Sequence, residues 1–231
     1  MTFNNRMIPF ALAAGGLSCA AHADALQDQV LAGARAIRSD LYAFQRTMVI
    51  ERTGAARQVF VEQFDPRKPG AQQWALLSVD ARTPTAKELE QWRKADRGPV
   101  PSYAQLAKWF GAPATRSDSA PGYVTYRFAR LPAGAIKLGS HDASADTQAE
   151  ALVNTKGKTP YVEQVRLAST KGFRMMLVAS VQSMAVSGHY RLLSDGYPVP
   201  EESASIMTGS MLGKAATIHA TVSYAAFQRV R

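Results

Sequence analysis

The second half of the chain, from residue 123 to residue 231, has the pattern of β-strands separated by turns that contain glycine. In its last stretch, apolar residues alternate with polar ones: Ile218, Ala220, Val222 and Tyr224 against Thr217, His219, Thr221 and Ser223. A period of two places these sets on opposite faces of a strand, one dry and one wet. Strands joined by short turns pair antiparallel. The sequence therefore predicts an antiparallel sheet over half of the chain.

One predicted strand, FRMMLVASVQSMAV, is apolar on both faces. It is predicted to be central and to end at a turn at Ser187-Gly188, because a strand that is apolar on both sides needs cover on both. Strand parity places Met176, Val178 and Met184 together on one face. These residues are predicted to line an apolar cavity, with Trp74 or Trp109 near its mouth, since methionine suits surfaces that accept varied apolar ligands. The alternative is that the methionines only fill the core.

The first half of the chain mixes helices with strands. An amphipathic helix is predicted from about Asp24 to Asp40, followed by two strands, a proline-containing loop and a third strand, WALLSV. Thr85 and Glu88 have the spacing of a capping box, so a helix should begin there. A second helix should end at Gly111, which makes residues 82–111 a helical pair, and the stretch GAPATRSDSAPG that follows is predicted to be a loop.

The N-terminus resembles an export signal. Arg6 precedes the apolar run from Met7 to Leu17, and Ala21-His22-Ala23 supplies small residues where a signal peptidase cleaves. The run is too short to span a bilayer as a helix. Residues 1–23 are therefore predicted to be a cleaved signal peptide and residues 24–231 a single domain; a short anchor is the alternative. Export predicts a periplasmic protein, for which association with the outer membrane stays open.

Loss of the signal changes what the chain can do chemically. The only cysteine, Cys19, leaves with it, so the mature chain can form neither a disulfide nor a thiolate metal site. The formal net charge falls from +9 to +8, because the signal contains Arg6 and no acidic residue. A basic exported protein is suited to anionic partners, which predicts peripheral contact with an anionic membrane surface. Export argues against nucleic acid as a partner. The alternative is a basic protein whose charge has no specific target.

No catalytic motif is found in the sequence. It contains no G-x-S-x-G, no phosphate-binding glycine loop and no H-E-x-x-H. The mature histidines His141, His189 and His219 are far apart, and no pair of them has the spacing of metal ligands. We therefore predict no enzyme activity, no catalytic or metal-binding residue and no cofactor. If the protein is a hydrolase, His141 or the Glu201-Glu202 pair is the candidate.

The stretch FDPRKPGAQQWALLSVDARTPTAKEL carries a family resemblance, together with YVEQVRL and GFRMML. It resembles exported proteobacterial proteins of the superfamily of outer-membrane lipoprotein-sorting carriers, the LolA/LolB-like fold. That resemblance implies an unclosed antiparallel β-barrel wrapped around helices, with a hydrophobic cavity between them. One position departs from the group: Asp80-Ala81 stands where the group has Asp-Gly, which puts a turn with positive φ in question there.

The predicted fold class is α+β, with a curved antiparallel sheet, an unclosed β-barrel, wrapped around a few helices. Three functions stay open. The first is non-catalytic binding or carriage of a lipid, a lipoprotein acyl chain or another apolar ligand in the periplasm. The second is a structural or adaptor role with an envelope protein as partner, and the third is hydrolysis of envelope material. Related folds host different functions, so fold alone does not decide among them.

Overall fold

The computed structural model describes residues 24–95, 102–138, 141–176 and 179–230. The predicted signal peptide lies outside these residues. The α-helices are α1 (Ala25–Ala36), α2 (Ala86–Lys94) and α3 (Ala107–Phe110), and 3-10 turns cover Gly70–Gln73, Tyr103–Leu106 and Ser144–Asp146. The strands are β1 (Tyr42–Arg52), β2 (Gln58–Phe64), β3 (Trp74–Val79), β4 (Thr115–Ala120), β5 (Tyr123–Phe128), β6 (Lys137–Leu138), β7 (His141–Asp142), β8 (Thr147–Asn154), β9 (Tyr161–Ser169), β10 (Phe173–Met176), β11 (Ala179–Leu192), β12 (Pro198–Met211) and β13 (Lys214–Arg229).

Within the described residues, eleven of these strands form one antiparallel sheet. Its order is β3-β2-β1-β13-β12-β11-β9-β8-β5-β4, with β10 paired to β11 beside this path, and β6 and β7 form a separate hairpin. The end strands β3 and β4 are not paired with each other in the described part of the chain, so the sheet is unclosed. The predicted α+β class, with a curved antiparallel sheet around a few helices, is confirmed. No helix among the described residues is long and apolar enough to cross a membrane.

Cross-strand pairing defines the two sides of this sheet. Direct pairs join one row of residues on a single side: Met48, Val222, Ser203, Gly188, Val165, Ala151 and Tyr126. Val165, Ala151 and Tyr126 pack in the main core with Val30 and Ala34 of α1. This side is therefore the helix-facing side. The residues next to this row along each strand lie on the other side, here called the open side, because side chains alternate between the two faces.

Helix α1 covers the sheet with two buried residues one turn apart. Val30 and Ala34 are 1% and 0% exposed, as the predicted helical spacing requires. Asp24 caps the helix by accepting hydrogen bonds from the backbone N–H groups of Leu26 and Gln27. The Gln27 side chain donates to the carbonyl oxygens of Phe110 and Ala112, which ties α1 to α3. Helix α1 ends at Ala36, four residues before the predicted end.

A second cluster lies on the helix-facing side of β1, β2 and β3. Phe44 contacts Phe64 and Trp74, with ring centroids 5.2 and 5.8 Å away. Beside them, the Arg46 guanidinium lies 2.5 Å from a Glu62 carboxylate oxygen and 4.2 Å from the centre of the Trp74 ring. Trp92 of α2 donates a hydrogen bond to Glu62. An ion pair and aromatic rings therefore connect α2 to the sheet.

Strand β12 is missing from the sequence prediction and lies in the middle of the sheet, between β11 and β13. Its first residues include Pro198, Pro200 and the acidic pair Glu201-Glu202, which are typical of a turn rather than of a central strand. Pro198 is the first residue of the strand, and Pro200 lies where the register with β11 shifts between His189 and Tyr190. A proline is tolerated at both kinds of position, because neither requires a regular ladder hydrogen bond.

The predicted strand FRMMLVASVQSMAV is wrong as a single strand. Its residues form β10 and β11, which pair antiparallel, with Phe173 opposite Val181. Parity cannot be carried from Met176 to Met184, because the chain reverses between them. The predicted turn at Ser187-Gly188 is also wrong, since β11 runs through it to Leu192. A Cβ atom on Gly188 would lie 3.2 Å from Val165 Cγ2, so glycine here allows close packing rather than a turn.

Two further local predictions are corrected. Asp80 and Ala81 have φ values of 49° and 61°, and Val79 and Arg82 exchange backbone hydrogen bonds across them. The tight turn with positive φ therefore forms without glycine. The predicted loop GAPATRSDSAPG contains β4, an edge strand whose six residues are all exposed, which explains why it lacks an apolar pattern.

Candidate functional site

A large groove lies on the open side of the sheet. Its first row of lining residues crosses seven strands by direct pairing: Thr115, Arg127, Glu150, Arg166, Ser187, Ala204 and Thr221. A second row runs beside it: Gln148, Ala168, Ala185, Ile206 and His219. Strand neighbours of these residues belong to the helix-facing core, so one sheet separates the core from this open-side groove.

Small side chains make the floor of the groove. Ala168, Ala185 and Ala204 occupy adjacent strands, with Ile206 next to them, and Ile206 is 37% exposed. The groove has a volume of about 1040 Å³. Ligand pockets in proteins typically have volumes of about 300–1,000 Å³ and mostly apolar walls. In size and lining, the open-side groove therefore matches a site for an apolar ligand.

Charged side chains stand beside this floor. Arg127 is bound to Glu150, with 3.4 Å between Nε and Oε2. Arg166 faces Glu150 on one neighbouring strand and Ser187 on the other, and it has no ion-pair partner among the described residues. Its guanidinium is exposed and offers several N–H donors to an anion. His219 lies at the β13 end of the groove.

The groove is long enough for an extended chain. From β5 to β13 it crosses five strand-to-strand gaps, which at about 4.8 Å each gives about 24 Å. One leaflet of a bilayer's hydrocarbon core is about 15 Å thick, half of about 30 Å. One acyl chain with an anionic group therefore fits along the groove, with its middle part over the alanine floor. Within the described residues, no group of three or more His, Cys, Asp or Glu side chains could hold a metal ion.

Two of the residues predicted to line a cavity are core residues. Met184 of β11 is 4% exposed and pairs with Met207 on the helix-facing side. Trp109 of α3 is 7% exposed and packs in the main core with Leu106 and Phe110. Neither lines the open-side groove. The contact of these residues with a ligand stays a prediction.

The other three predicted residues lie elsewhere. Trp74 is half-buried in the second cluster, where it contacts Phe44, Phe64 and Arg46. Met176 is the last residue of β10, with its backbone opposite Ala179. Val178 lies outside the described residues. Trp74 and Trp109 belong to two separate packing clusters, and the role of these residues as cavity lining also stays a prediction.

The alanines of the groove floor are one signal of the site in the sequence. Ala168, Ala185 and Ala204 lie on the open side of three neighbouring strands, where polar side chains are usual. A run of small residues on the wet face of a sheet leaves room for a ligand. The adjacency of these alanines depends on the strand order and on β12, so it was not visible from local pattern.

The residues considered for hydrolysis are not brought together. The His141 ring stacks on Phe173, with 4.4 Å between the ring centroids, and Phe173 pairs with Val181. Glu202 pairs with His189, eight residues farther along β11, which corresponds to about 27 Å of strand. Among the described residues, His141 Nε2 is buried without a hydrogen-bond partner.

The comparisons with known proteins are few. No family model matches the sequence. No curated protein matches it either. Among solved structures, the chain is similar to the crystal structure of a LolA superfamily protein from Nitrosomonas europaea, with 11% sequence identity and a TM-score of 0.39. That similarity covers 89% of this chain and 94% of the other. Similarity at this level does not establish membership of a family. The fold and groove define an α+β protein with an unclosed antiparallel sheet and an open, apolar-floored groove.

Proposed function

We propose that this chain is a non-catalytic binding or carrier protein of the periplasm. Its ligand is a lipid, a lipoprotein acyl chain or another apolar molecule that carries an anionic group. The observation that supports this function is the open-side groove, in which an alanine floor lies beside Arg166, a cation without an ion-pair partner in the described part of the chain. Apolar side chains accept the hydrocarbon part of such a ligand, and a guanidinium binds a carboxylate or phosphate through two parallel hydrogen bonds.

The hydrocarbon part is tested by filling the groove. Ala185→Trp places an indole on the floor of the groove. Ala225→Trp places an indole on β13, also on the open side of the sheet but outside the groove. The protein is purified from cell envelopes, and bound lipid is extracted and measured by mass spectrometry. We expect lipid with the wild type and with Ala225→Trp, and a loss of at least tenfold with Ala185→Trp. Equal lipid in all three proteins would remove the groove as the site.

The anionic part is tested by titrating purified protein with a fluorescent fatty acid. Arg166→Gln should weaken binding about tenfold, because a hydrogen bond to a charged group contributes about 1.5–3 kcal/mol. Arg52→Gln serves as the control, since Arg52 lies at the end of β1 outside the groove. No saturable uptake by the wild type, together with no co-purifying lipid, would contradict a lipid-binding function.

A second candidate function is an envelope adaptor, favoured by edge strand β4. Its residues Thr115–Ala120 are exposed and pair only with β5 among the described residues. An exposed edge can accept a strand from another protein. A pull-down from cell envelopes separates the two functions, because an adaptor recovers one protein stoichiometrically and without lipid. Location in the periplasm is tested by N-terminal sequencing of the secreted form, which should begin at Asp24.

A further inference from the structure

The tip of the β12–β13 hairpin exposes two consecutive large apolar side chains. Leu212 is 73% exposed and Met211 is 53% exposed, and no other large hydrophobic residue in the described part of the chain exceeds 40%. Strand β12 ends at Met211 and β13 begins at Lys214, so both residues lie at the end of the β12–β13 hairpin. Isolated exposed apolar residues are ordinary, but two consecutive ones at the tip of a hairpin indicate an interaction site.

The backbone at this tip is unfavourable for leucine. Leu212 and Gly213 have φ values of 52° and 76°, which is the geometry of a two-residue turn that asparagine-glycine adopts most readily. Leucine is disfavoured at positive φ, because its Cβ approaches the backbone. Leucine at this position is thus unfavourable in two ways: its side chain disfavours the backbone conformation of the turn, and its apolar surface is exposed to water. Folding gives no reason for leucine here, so contact with another surface is the better explanation.

The strand segments that lead to the tip contain basic residues and no acidic ones. Residues 171–192, which form β10 and β11, and residues 203–222, which form most of β12 and β13, contain no aspartate or glutamate. Lys214 pairs directly with Met211. Arg174 of β10 lies opposite Ser180 in the next row, so its side chain is on the other face of the sheet. Neither cation has an ion-pair partner among the described residues. An anionic partner at the tip would therefore meet cations and no carboxylate on these strand segments.

We propose that the β12–β13 tip inserts into the surface of an anionic phospholipid bilayer. Met211 and Leu212 enter the boundary between headgroups and acyl chains, and Lys214 and Arg174 contact lipid phosphates. Apolar side chains flanked by basic residues bind membrane interfaces in this way, by burial of apolar area together with attraction to anionic lipid. This docking does not depend on the ligand of the open-side groove, because the tip and the groove share no residue.

The test uses the full chain and sedimentation with vesicles, either pure phosphatidylcholine or phosphatidylcholine with phosphatidylglycerol. The wild type should bind the mixed vesicles, and the binding should weaken at high salt and on pure phosphatidylcholine. Leu212→Asn should weaken binding about tenfold, since one buried leucine side chain corresponds to at least that factor. The same substitution creates an asparagine-glycine turn, so its denaturation midpoint should rise. Weaker binding by a more stable variant cannot be due to unfolding.

Leu192→Asn is the matched control, because Leu192 is 39% exposed at the opposite end of β11. It should bind vesicles as the wild type does. A second measurement uses Leu212→Trp with brominated lipids, which should quench the added fluorescence, whereas Leu192→Trp should show no such quenching. Absence of wild-type binding to mixed vesicles, or unchanged binding by Leu212→Asn, would overturn the proposal. If Leu212→Asn instead dissociates a dimer and the wild type ignores vesicles, the tip contacts a second copy of the chain, which also overturns it.

Discussion

Ala81 occupies a backbone conformation that its side chain disfavours. Its φ of 61° follows an Asp80 φ of 49°, and the turn joins the end of β3 to the segment before α2. The left-handed region costs a non-glycine residue about 1–2 kcal/mol. Asp80 offsets part of this cost, because its side-chain carboxylate accepts a 2.7 Å hydrogen bond from the backbone N–H of Val59. Ala81 has no compensating contact of that kind in the described structure.

Ala81→Gly should therefore stabilise the protein. Glycine adopts positive φ without the Cβ penalty, and we expect the free energy of unfolding to rise by about 0.5–1 kcal/mol after the entropic cost in the unfolded chain. Urea denaturation of both proteins measures this difference. Ala75→Gly, in the extended backbone of β3, should instead lower the free energy of unfolding. A fall with Ala81→Gly would show that the turn is not strained.

Glu88 is the most strongly shifted carboxyl of the described residues that has a resolved value. Hydrogen bonds from the Arg82 guanidinium and from the Thr85 backbone and hydroxyl lower the pKa of Glu88 from its ordinary 4.5 to about 2. Its stabilisation of the start of α2 is thus fully present above pH 4.5. It is lost as the pH falls through about 2, where the carboxylate becomes protonated in the folded protein as well.

Glu88→Gln should make the acid profile flatter. Above pH 5 the variant should be less stable than the wild type, and the difference should disappear as the pH approaches 2. Denaturation midpoints between pH 2 and pH 6 measure it. Glu90→Gln is the control, because the Glu90 side chain is 64% exposed on the same helix and pairs only with Lys94 among the described residues. Parallel acid profiles for wild type and Glu88→Gln would contradict the shift.

At the level of elements, the Arg46–Glu62 pair joins β1 to β2 and, through Trp92, to α2. Both side chains are almost fully buried, at 10% and 2% exposure. Breaking a buried pair leaves one charge without compensation and costs about 3–5 kcal/mol, whereas replacing both partners with apolar residues is often nearly neutral. We expect Glu62→Ala to lower the free energy of unfolding by about 3 kcal/mol or more.

The double variant Arg46→Met, Glu62→Leu should lose less stability than Glu62→Ala alone. Equilibrium denaturation of Arg46→Met, of Glu62→Leu and of the double variant measures the coupling between the two residues. Additive losses would show that the two charges act independently. Near-UV circular dichroism would reveal whether Trp92, and with it α2, still packs on the sheet.

The sequence predicted those elements whose pattern is local. Period-two alternation located β13, and the Thr85–Glu88 spacing located the start of α2, because both signals lie within a few neighbouring residues. Strand β12 was missed, since prolines at its start and an acidic pair resemble a loop unless the neighbouring strands are known. The reversal between β10 and β11 was also missed, because the alternation of apolar and polar residues does not change at the turn.

The open-side groove could not be predicted for a related reason. Its two rows come from strands that are neighbours only after the chain has folded, and β13 pairs with β1 although Val49 and Thr221 are far apart in sequence. The sequence shows which residues lie on the exposed face of each strand, but it does not show the order of the strands in the sheet. The cavity proposed from Met176, Val178 and Met184 relied on parity within one strand, which the chain reversal breaks.

At the scale of the whole molecule, strand β13 connects the two packing clusters of the sheet. Strand β13 pairs with β1 on one side and β12 on the other, so it connects the aromatic cluster around Phe44 with the main core around Tyr126. A break in β13 separates strands that have no other route of pairing within the described residues. The predicted single domain of residues 24–231 should therefore unfold as one cooperative unit.

Two variants that each keep one reporter tryptophan test this cooperativity. A protein with only Trp74 reports on the aromatic cluster, and a protein with only Trp109 reports on the main core. In each variant, urea transitions followed by fluorescence and by far-UV circular dichroism should have the same midpoint. Adding Val222→Ala in β13 should lower both midpoints together, by about 1 kcal/mol in free energy of unfolding, because Val222 is half-buried between the two clusters. If only the Trp74 transition moves, β1–β3 fold independently of the remaining sheet, and the chain comprises two folding units rather than one.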